Sequence, residues 1–494
     1  MQTLLGIDLG TSSLKGMLLD IASRKVEVEK VKYKVQIPKA GYAEQNAEMW
    51  WSAFMEVLNK LKAHNPQGFD NICGISFSGQ MHGLVAIDCH GNPVRSAIIW
   101  LDQRSDEMVK LINEKLTQSE IAEILHNRIH TGFAFPSLLW MKEYEPESYE
   151  RIHKVMLPKD YLRYKITGRI TTDITDASAT AMFNIGKREW AWEIVQKFNV
   201  KKDIFPECNE STDIVGEVTE ACSQLTGLKQ GIPVVCGCGD QMAQSLGNGI
   251  FQQGKMISNI GTGGQISSYS NSDIYDKELR THTFCNAINQ GYSIFGATLS
   301  CGNSLNWLCN SILNASGIDF EECNKLAAEV PEGSDGIIYL PYLTGERTPI
   351  MNADAKGMLF GLTLKHDKRF IIRAVMEGII YSLKDCLCLM EGLGLLTGDE
   401  MIASGGGASS ELLLQMQADI FVKKIKVCTV REQACLGACI LAGVGIGIFD
   451  VKTACDKYVT FHEEVYHPKS KTFEIYRAGY SKYHSLYNQT KYLM

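Results

Sequence analysis

The chain has 494 residues, 45% of them hydrophobic and 21% charged. At ~100–200 residues per domain it is too long for one core, so two large domains are expected. The composition is that of a globular protein and excludes disordered, collagenous and fibrous classes. Asp and Glu total 56 against 49 Lys and Arg, a net charge of −7. A nucleic-acid or anionic-membrane binder would carry a basic excess, so neither partner is expected.

The 16 cysteines are scattered, and the closest pairs (Cys236/Cys238, Cys386/Cys388, Cys435/Cys439) form no C-x-x-C motif. Buried, reduced thiols are the expectation, not a zinc site or a redox pair. Met1 leads directly into an apolar strand pattern with no basic n-region, so no signal peptide is expected. The longest uncharged apolar run, 434–449, is shorter than the ~20 residues of a membrane span and is broken by glycines. It reads as a buried helix entering a Gly-rich turn. The expected location is cytoplasmic.

In chain order, strand patterns occupy 3–8, 14–20 and 26–35, separated by Gly10-Thr11-Ser12-Ser13 and a polar turn at 22–24. A helix is expected over 46–62, a strand over 71–77 and a hairpin turn at 88–92. Short strands and helices alternate to about residue 235, which signals α/β layering. The order then restarts: strand 255–260, turn Gly261-Thr262-Gly263-Gly264, strand 265–269. Two Gly-Thr hairpins opening two half-chains suggest a duplication. The domains are expected over 1–246 and 255–494, closely packed and hinged.

Each Gly-Thr turn exposes N–H groups and hydroxyls in a concave cluster suited to phosphate oxygens. Gly10, Thr11 and Ser12, with Lys15 beside them, form the first candidate; Gly261, Thr262 and Gly263 form the second. Asp8 ends the strand before the first turn, where a carboxylate would hold the Mg²⁺ that accompanies a polyphosphate. There is no G-x-x-x-x-G-K-[ST] loop. Gly405, Gly406, Gly407 and Ala408 precede a helical pattern, and glycines there would admit a flat nucleoside.

Gln80, Met81, His82, Trp100 and Asp102 mix polar groups with apolar surface at strand ends, which suits a polyol. Asp240, followed by Gln241, comes after two glycines at the end of an apolar run and ahead of a helix. Such an Asp can cap the helix, or work in the crevice beyond the strand ends. Its place at the domain boundary favours a general base.

These segments resemble the FGGY family of carbohydrate kinases, most closely its xylulokinase branch. The resemblance rests on residues 41–45, 78–83, 100–104, 157–162, the 340–349 segment Leu-Pro-Tyr-Leu-Thr-Gly-Glu-Arg-Thr-Pro and Gly405-Gly406-Gly407-Ala408. It implies a two-domain actin-like (ribonuclease H-like) fold with a catalytic cleft between domains. It also implies ATP with Mg²⁺, and phosphorylation of a ketose such as D-xylulose; the alternatives are ribulose, sedoheptulose, glycerol or a non-catalytic ATP-binding protein. By the resemblance Asp240 is the base, Asp8 goes to the metal, Met81, His82 and Asp102 to the sugar, and Gly261-Thr262 to the second phosphate loop. Leu101 and Gln241 stand where the branch has Asn, and Ser137 and Ser409 where it commonly has Lys. Oligomeric state is left open, a homodimer included.

Overall fold

The structure is a computed structural model describing residues 2–313 and 319–494. Its first domain is built on β1 (Thr3–Leu9), β2 (Ser13–Asp20), β3 (Val26–Lys32), α1 (Ala47–His64), β4 (Ile72–Gly79) and β5 (Pro233–Val235), with α2 (Asp240–Gly247) leading out of it. The second contains β6 (Met256–Ile260), β7 (Gly264–Ser270), β8 (His282–Cys285), β9 (Tyr292–Thr298) and the long α3 (Lys368–Gly392). It continues through β10 (Glu400–Ser404), α4 (Glu411–Phe421) and β11 (Lys424–Val427) to α5 (Gln433–Gly445).

The two sheets repeat one topology. In the first, β3, β2 and β1 run antiparallel, and β4 and then β5 add in parallel on the far side of β1. In the second, β9, β7 and β6 run antiparallel, and β10 and then β11 add in parallel. The expected duplication is therefore visible strand for strand. β3 stops at Lys32, short of the expected 35, because its partner β2 begins at Ser13, opposite Lys32; beyond the ladder the Tyr33 N–H donates to the Ser12 carbonyl and its hydroxyl to the Gly10 carbonyl.

β1 is buried along its whole length, as a strand covered on both faces must be. Leu5, Ile7 and Leu9 pack with Trp50, Phe54, Val57 and Leu58 of α1 on one side. Those α1 positions recur at helical spacing, and Asn46 caps the helix by accepting from the Glu48 N–H. Leu4 points to the other face, where Cys435, Leu436, Cys439 and Ile440 of α5 cover it.

The run 434–449 is thus a buried helix, but it covers the sheet of the first domain. The chain leaves the second sheet after β11, crosses back, and packs α5 against β1, β4 and α2. The α2–α5 contact is backbone to backbone. A Cβ on Gly247 would lie 1.9 Å from the Gln433 oxygen, and one on Gly437 would lie 2.0 Å from the Ala243 oxygen. Among the described residues no helix is long and apolar enough to cross a membrane.

Gly437→Ala tests this contact. Overpacking of this kind costs about 1–3 kcal/mol, so the melting temperature should fall by several degrees. An unchanged unfolding curve would mean that the helices part without penalty.

Candidate active site

Two cavities meet at Asp240 and Gln241. The larger, about 700 Å³, is lined by Asp8, Lys15, Gln244, Ser404 to Gly406, Ala408 and Glu432. The smaller, about 260 Å³, is lined by Thr11, Met81, His82 and Trp100 of the first domain and by Gln265, His282, Phe284 and Arg347 of the second. Asp240 belongs to both because it is the first residue of α2, which starts where the two domains join. Gly239 takes the N-cap position, so the Asp240 side chain is not the helix cap.

Sheet register sets the electrostatics of the larger cavity. Asp8 lies opposite Lys15 on β2 and Ser78 on β4. Ser78 Oγ donates to Asp8 Oδ1 at 2.8 Å, while Lys15 Nζ is 3.8 Å from Asp8 Oδ2 and 2.6 Å from Glu432 Oε2. Burial raises the Asp8 pKa, with Lys15 pulling the other way. Burial, and then the charge of Asp8, pushes Asp240 up to about 7. Asp8, a buried carboxylate that Lys15 relieves only in part, is a donor that fits a hard divalent cation.

Gly405 has φ 75° and ψ −170°, a region open to glycine alone. A Cβ there would sit 2.4 Å from Asn259 Oδ1 and 2.6 Å from the Ile260 oxygen. Gly406 faces open space and lines the cavity, whereas Gly407 is packed on Ile260. A flat ligand can therefore approach the loop at Gly405, Gly406 and Ala408.

In the smaller cavity His82 has a positive φ of 71° and stacks on Phe133 at 4.1 Å. Its Nδ1 lies 2.7 Å from the Ala179 carbonyl, which can only accept. The proton is therefore on Nδ1, and Nε2 is left as an acceptor. Burial pushes the His82 pKa down to about 4, so the ring is neutral at pH 7. Met81 is buried against Gly239. The Trp100 Nε1 donates to Thr11 Oγ1 at 2.9 Å.

Gln80 and Asp102, expected at the sugar, do not line either cavity. The Gln80 amide donates to Gln45 Oε1 at 2.8 Å, and Gln45 Nε2 donates to the Thr11 carbonyl at 2.7 Å. Asp102 accepts from the Ala43 N–H at 2.6 Å and from Arg104 at 2.8–3.0 Å. Asp102 is occupied in holding neighbouring loops, whereas Gln80 is tied through its amide nitrogen alone and its Oε1 is buried without a partner. Of the two turns, only Thr11 reaches a cavity wall; Gly10 and Ser12 stand beside it. Gly261, Thr262 and Gly263 line neither cavity, and the Gly261 and Thr262 carbonyls accept from the N–H groups of residues 301–303.

The chain matches the model of the "FGGY family of carbohydrate kinases, N-terminal domain" over residues 3–247 and that of the corresponding C-terminal domain over 256–446. It belongs to the FGGY carbohydrate kinases. A xylulose kinase of Lactococcus lactis is 37% identical, over 99% of this chain and 97% of the relative. A gluconokinase of Bacillus subtilis is 31% identical, over 90% of this chain and 88% of the relative. A Brucella ovis crystal structure described as a xyloylose kinase superposes with a TM-score of 0.94 at 28% identity, covering all of both chains. The two-domain actin-like fold expected from the resemblance is the fold of this FGGY kinase.

Sequence reasoning missed Arg347, His130, His282 and Phe133 on the smaller cavity and Glu432 on the larger. Arg347 lies within the quoted 340–349 segment but was given no role there. The others stand alone in sequence, without a motif to mark them.

The raised Asp240 pKa has a consequence for stability. The folded state holds this proton more tightly than the unfolded chain, so its contribution is complete at low pH. It is lost as pH rises through about 7. Asn cannot ionise and escapes that loss. Asp240→Asn should melt with the parent near pH 4 and several degrees above it at pH 8; equal melting at both pH values would refute the shift.

Proposed function

We propose that this kinase transfers the γ-phosphoryl group of ATP to the terminal hydroxyl of a ketose, D-xylulose first, giving D-xylulose 5-phosphate. The observation that carries the reading is the placement of Asp240 on the shared wall of two cavities, one open to a glycine loop and one walled by polar and aromatic side chains. The similarity to xylulose kinases along the whole chain supports the choice of sugar.

In this reading the sugar occupies the smaller cavity against Met81, His82, Trp100 and Gln241. The His82 Nε2 accepts a hydroxyl proton, and the aromatic walls pack the carbon face. The nucleoside lies on Gly405, Gly406 and Ala408, with Gly407 packed on Ile260 behind them, and its phosphates extend towards Lys15 and the Gly10-Thr11-Ser12 turn. Gly261, Thr262 and Gly263 close over the phosphates from the second domain. Mg²⁺, held through Asp8, would neutralise charge on the phosphate oxygens when bound.

Asp240 takes the proton of the attacking hydroxyl as the new O–P bond forms. The bond from phosphorus to the β,γ-bridging oxygen breaks, and ADP leaves with that electron pair. A base with a pKa near working pH suits this step, and it typically contributes ~10²–10⁴-fold. Domain closure about α2 and α5 excludes water, which would otherwise take the phosphoryl group. The division into residues 1–246 for sugar and phosphate and 255–494 for nucleotide follows the same reading.

Turnover of a panel of ketoses, glycerol and D-gluconate tests the proposal. D-xylulose should lead, and glycerol matching it in kcat/KM would overturn the ketose reading. Asp240→Asn should lower kcat ~10²-fold or more. In the parent, kcat/KM should rise with pH through an acid limb near 7 as Asp240 loses its proton.

One observation favours a second reading. Arg347 lines the smaller cavity, and among the described residues no carboxylate lies within ion-pair distance of its guanidinium, the nearest charge acting on it being that of Glu346. Around it, burial holds His82, His130 and His282 neutral. A sugar acid such as gluconate would give Arg347 its counter-charge. Arg347→Gln should then cost the acid ~10-fold or more in kcat/KM, the worth of a charge-assisted hydrogen bond, and the ketose only a small factor. Equal losses on both would remove this reading.

A further inference from the structure

Beneath the cleft lies an ionic cluster that the mechanism above does not use. Lys159 Nζ is 2.7 Å from Asp160 Oδ1, 2.5 Å from Asp173 Oδ2 and 2.9 Å from Asp176 Oδ2. Arg163 adds a bridge of 3.0 Å to Asp160, and all five side chains are wholly buried. Burial raises the Asp176 pKa well above the carboxylate range. With a proton there, two carboxylates face two cations and the charges balance. Burying such a cluster is a poor way to gain stability. Its contacts give it another use.

The cluster reaches the segment before Asp240 at two points. Arg163 donates to the Cys236 carbonyl. Thr175 Oγ1 donates to Asp173 Oδ1 at 2.5 Å and accepts from the Gly239 N–H at 2.9 Å. A hydroxyl has a single proton. Because Asp173 takes it, a lone pair of Thr175 is left facing Gly239, the residue before Asp240 and the N-cap of α2. Lys159, on the other Asp173 oxygen, fixes the direction of the chain. The Lys159 stem also packs on Gly79, where a Cβ would meet it at 2.7 Å. Gly79 lies in register with Gly239, and Cys238 with Ser78, the donor to Asp8.

We propose that Lys159, Asp173 and Thr175 form a positioning relay that fixes the Gly239 N–H and thereby aims the Asp240 carboxylate into the cleft. The inference rests on the reading of Asp240 as the base. Thr175 and Asp173 touch no substrate; they act through the backbone of the residue next to the base. Misplacement of a catalytic group by a fraction of an ångström is costly in rate even where the fold survives.

Thr175→Val keeps shape and removes the hydroxyl, while Thr175→Ser keeps the hydroxyl. The Val variant should lose about 10-fold or more in kcat, with KM for ATP within about twofold, since Lys159, Asp173 and Thr175 line neither cavity. Its acid limb in the pH profile of kcat/KM should move away from that of the parent, and Ser should restore both rate and limb. If the Val variant does not fold, Thr175→Ala makes the same test without added bulk. In an Asp240→Asn background the Thr175 change should cost nothing further in kcat, because the group it aims is gone.

A lower melting temperature with kcat and the acid limb unchanged would overturn the relay, as would an equal loss of kcat in both backgrounds. The two readings fail separately. Activity retained by Asp240→Asn removes the base; collapse of that variant beside a fully active Thr175→Val removes only the relay.

Discussion

The absence of side chains between α2 and α5 is the constraint on which the rest of this molecule depends. Gly247 and Gly437 let the two helices meet backbone to backbone, so the segment that leaves the first domain and the one that returns to it are locked together. Both helices begin at the larger cavity, where Asp240, Gln241, Glu432 and Gln433 stand on its wall. Two helix N-termini directed at one space favour anionic groups within it. The packing that joins the domains is therefore the packing that places Asp240 and the anion-favouring field around it.

That field is unbalanced in the protein alone. Asp8 and Asp240 are both raised by burial, and Asp8 raises Asp240 further. Lys15 gives Asp8 only partial relief, because its ammonium lies closer to Glu432. A cleft that holds carboxylates against their own desolvation is less stable than one lined with neutral groups. The same strain sets a carboxylate near neutral pH, where it can both accept and release a proton. Stability and proton affinity at Asp240 are two readings of one electrostatic fact.

How much of this could be read from the chain depends on how local each signal is. The strands of both half-chains, the Gly-Thr hairpins, α1 and the Asp at the start of α2 announce themselves through periodicity and glycine within a few residues. Their repetition is enough to reveal the duplicated sheet. The 434–449 run shows itself as a buried helix, yet nothing in it says that its partner is β1, more than 400 residues away in sequence. Gln80 and Asp102 read as sugar contacts in the sequence, but Gln45 holds the Gln80 amide nitrogen and Arg104 holds Asp102, and only tertiary structure shows that. Arg347, His130 and His282 escape for the complementary reason, being brought to one wall by folding alone.

Thr11 shows how the two halves of the site are tied. Its hydroxyl accepts from Trp100, which lines the smaller cavity, and its carbonyl accepts from Gln45, which Gln80 braces. The turn after β1 is thus fastened to a wall of the smaller cavity. Asp8, Lys15, Thr11 and Asp240, which line the two cavities, belong to β1, β2, the turn between them and α2, all in the first half of the chain. Much of the wall of the smaller cavity comes from β7, β8, β9 and Arg347 of the second half, with His282, Phe284 and Phe295 among them. Substitutions on those strands can reshape this cavity without moving Asp8, Lys15, Thr11 or Asp240. That separation gives a physical reason why a xylulose kinase and a gluconokinase can both be similar to this chain along most of its length.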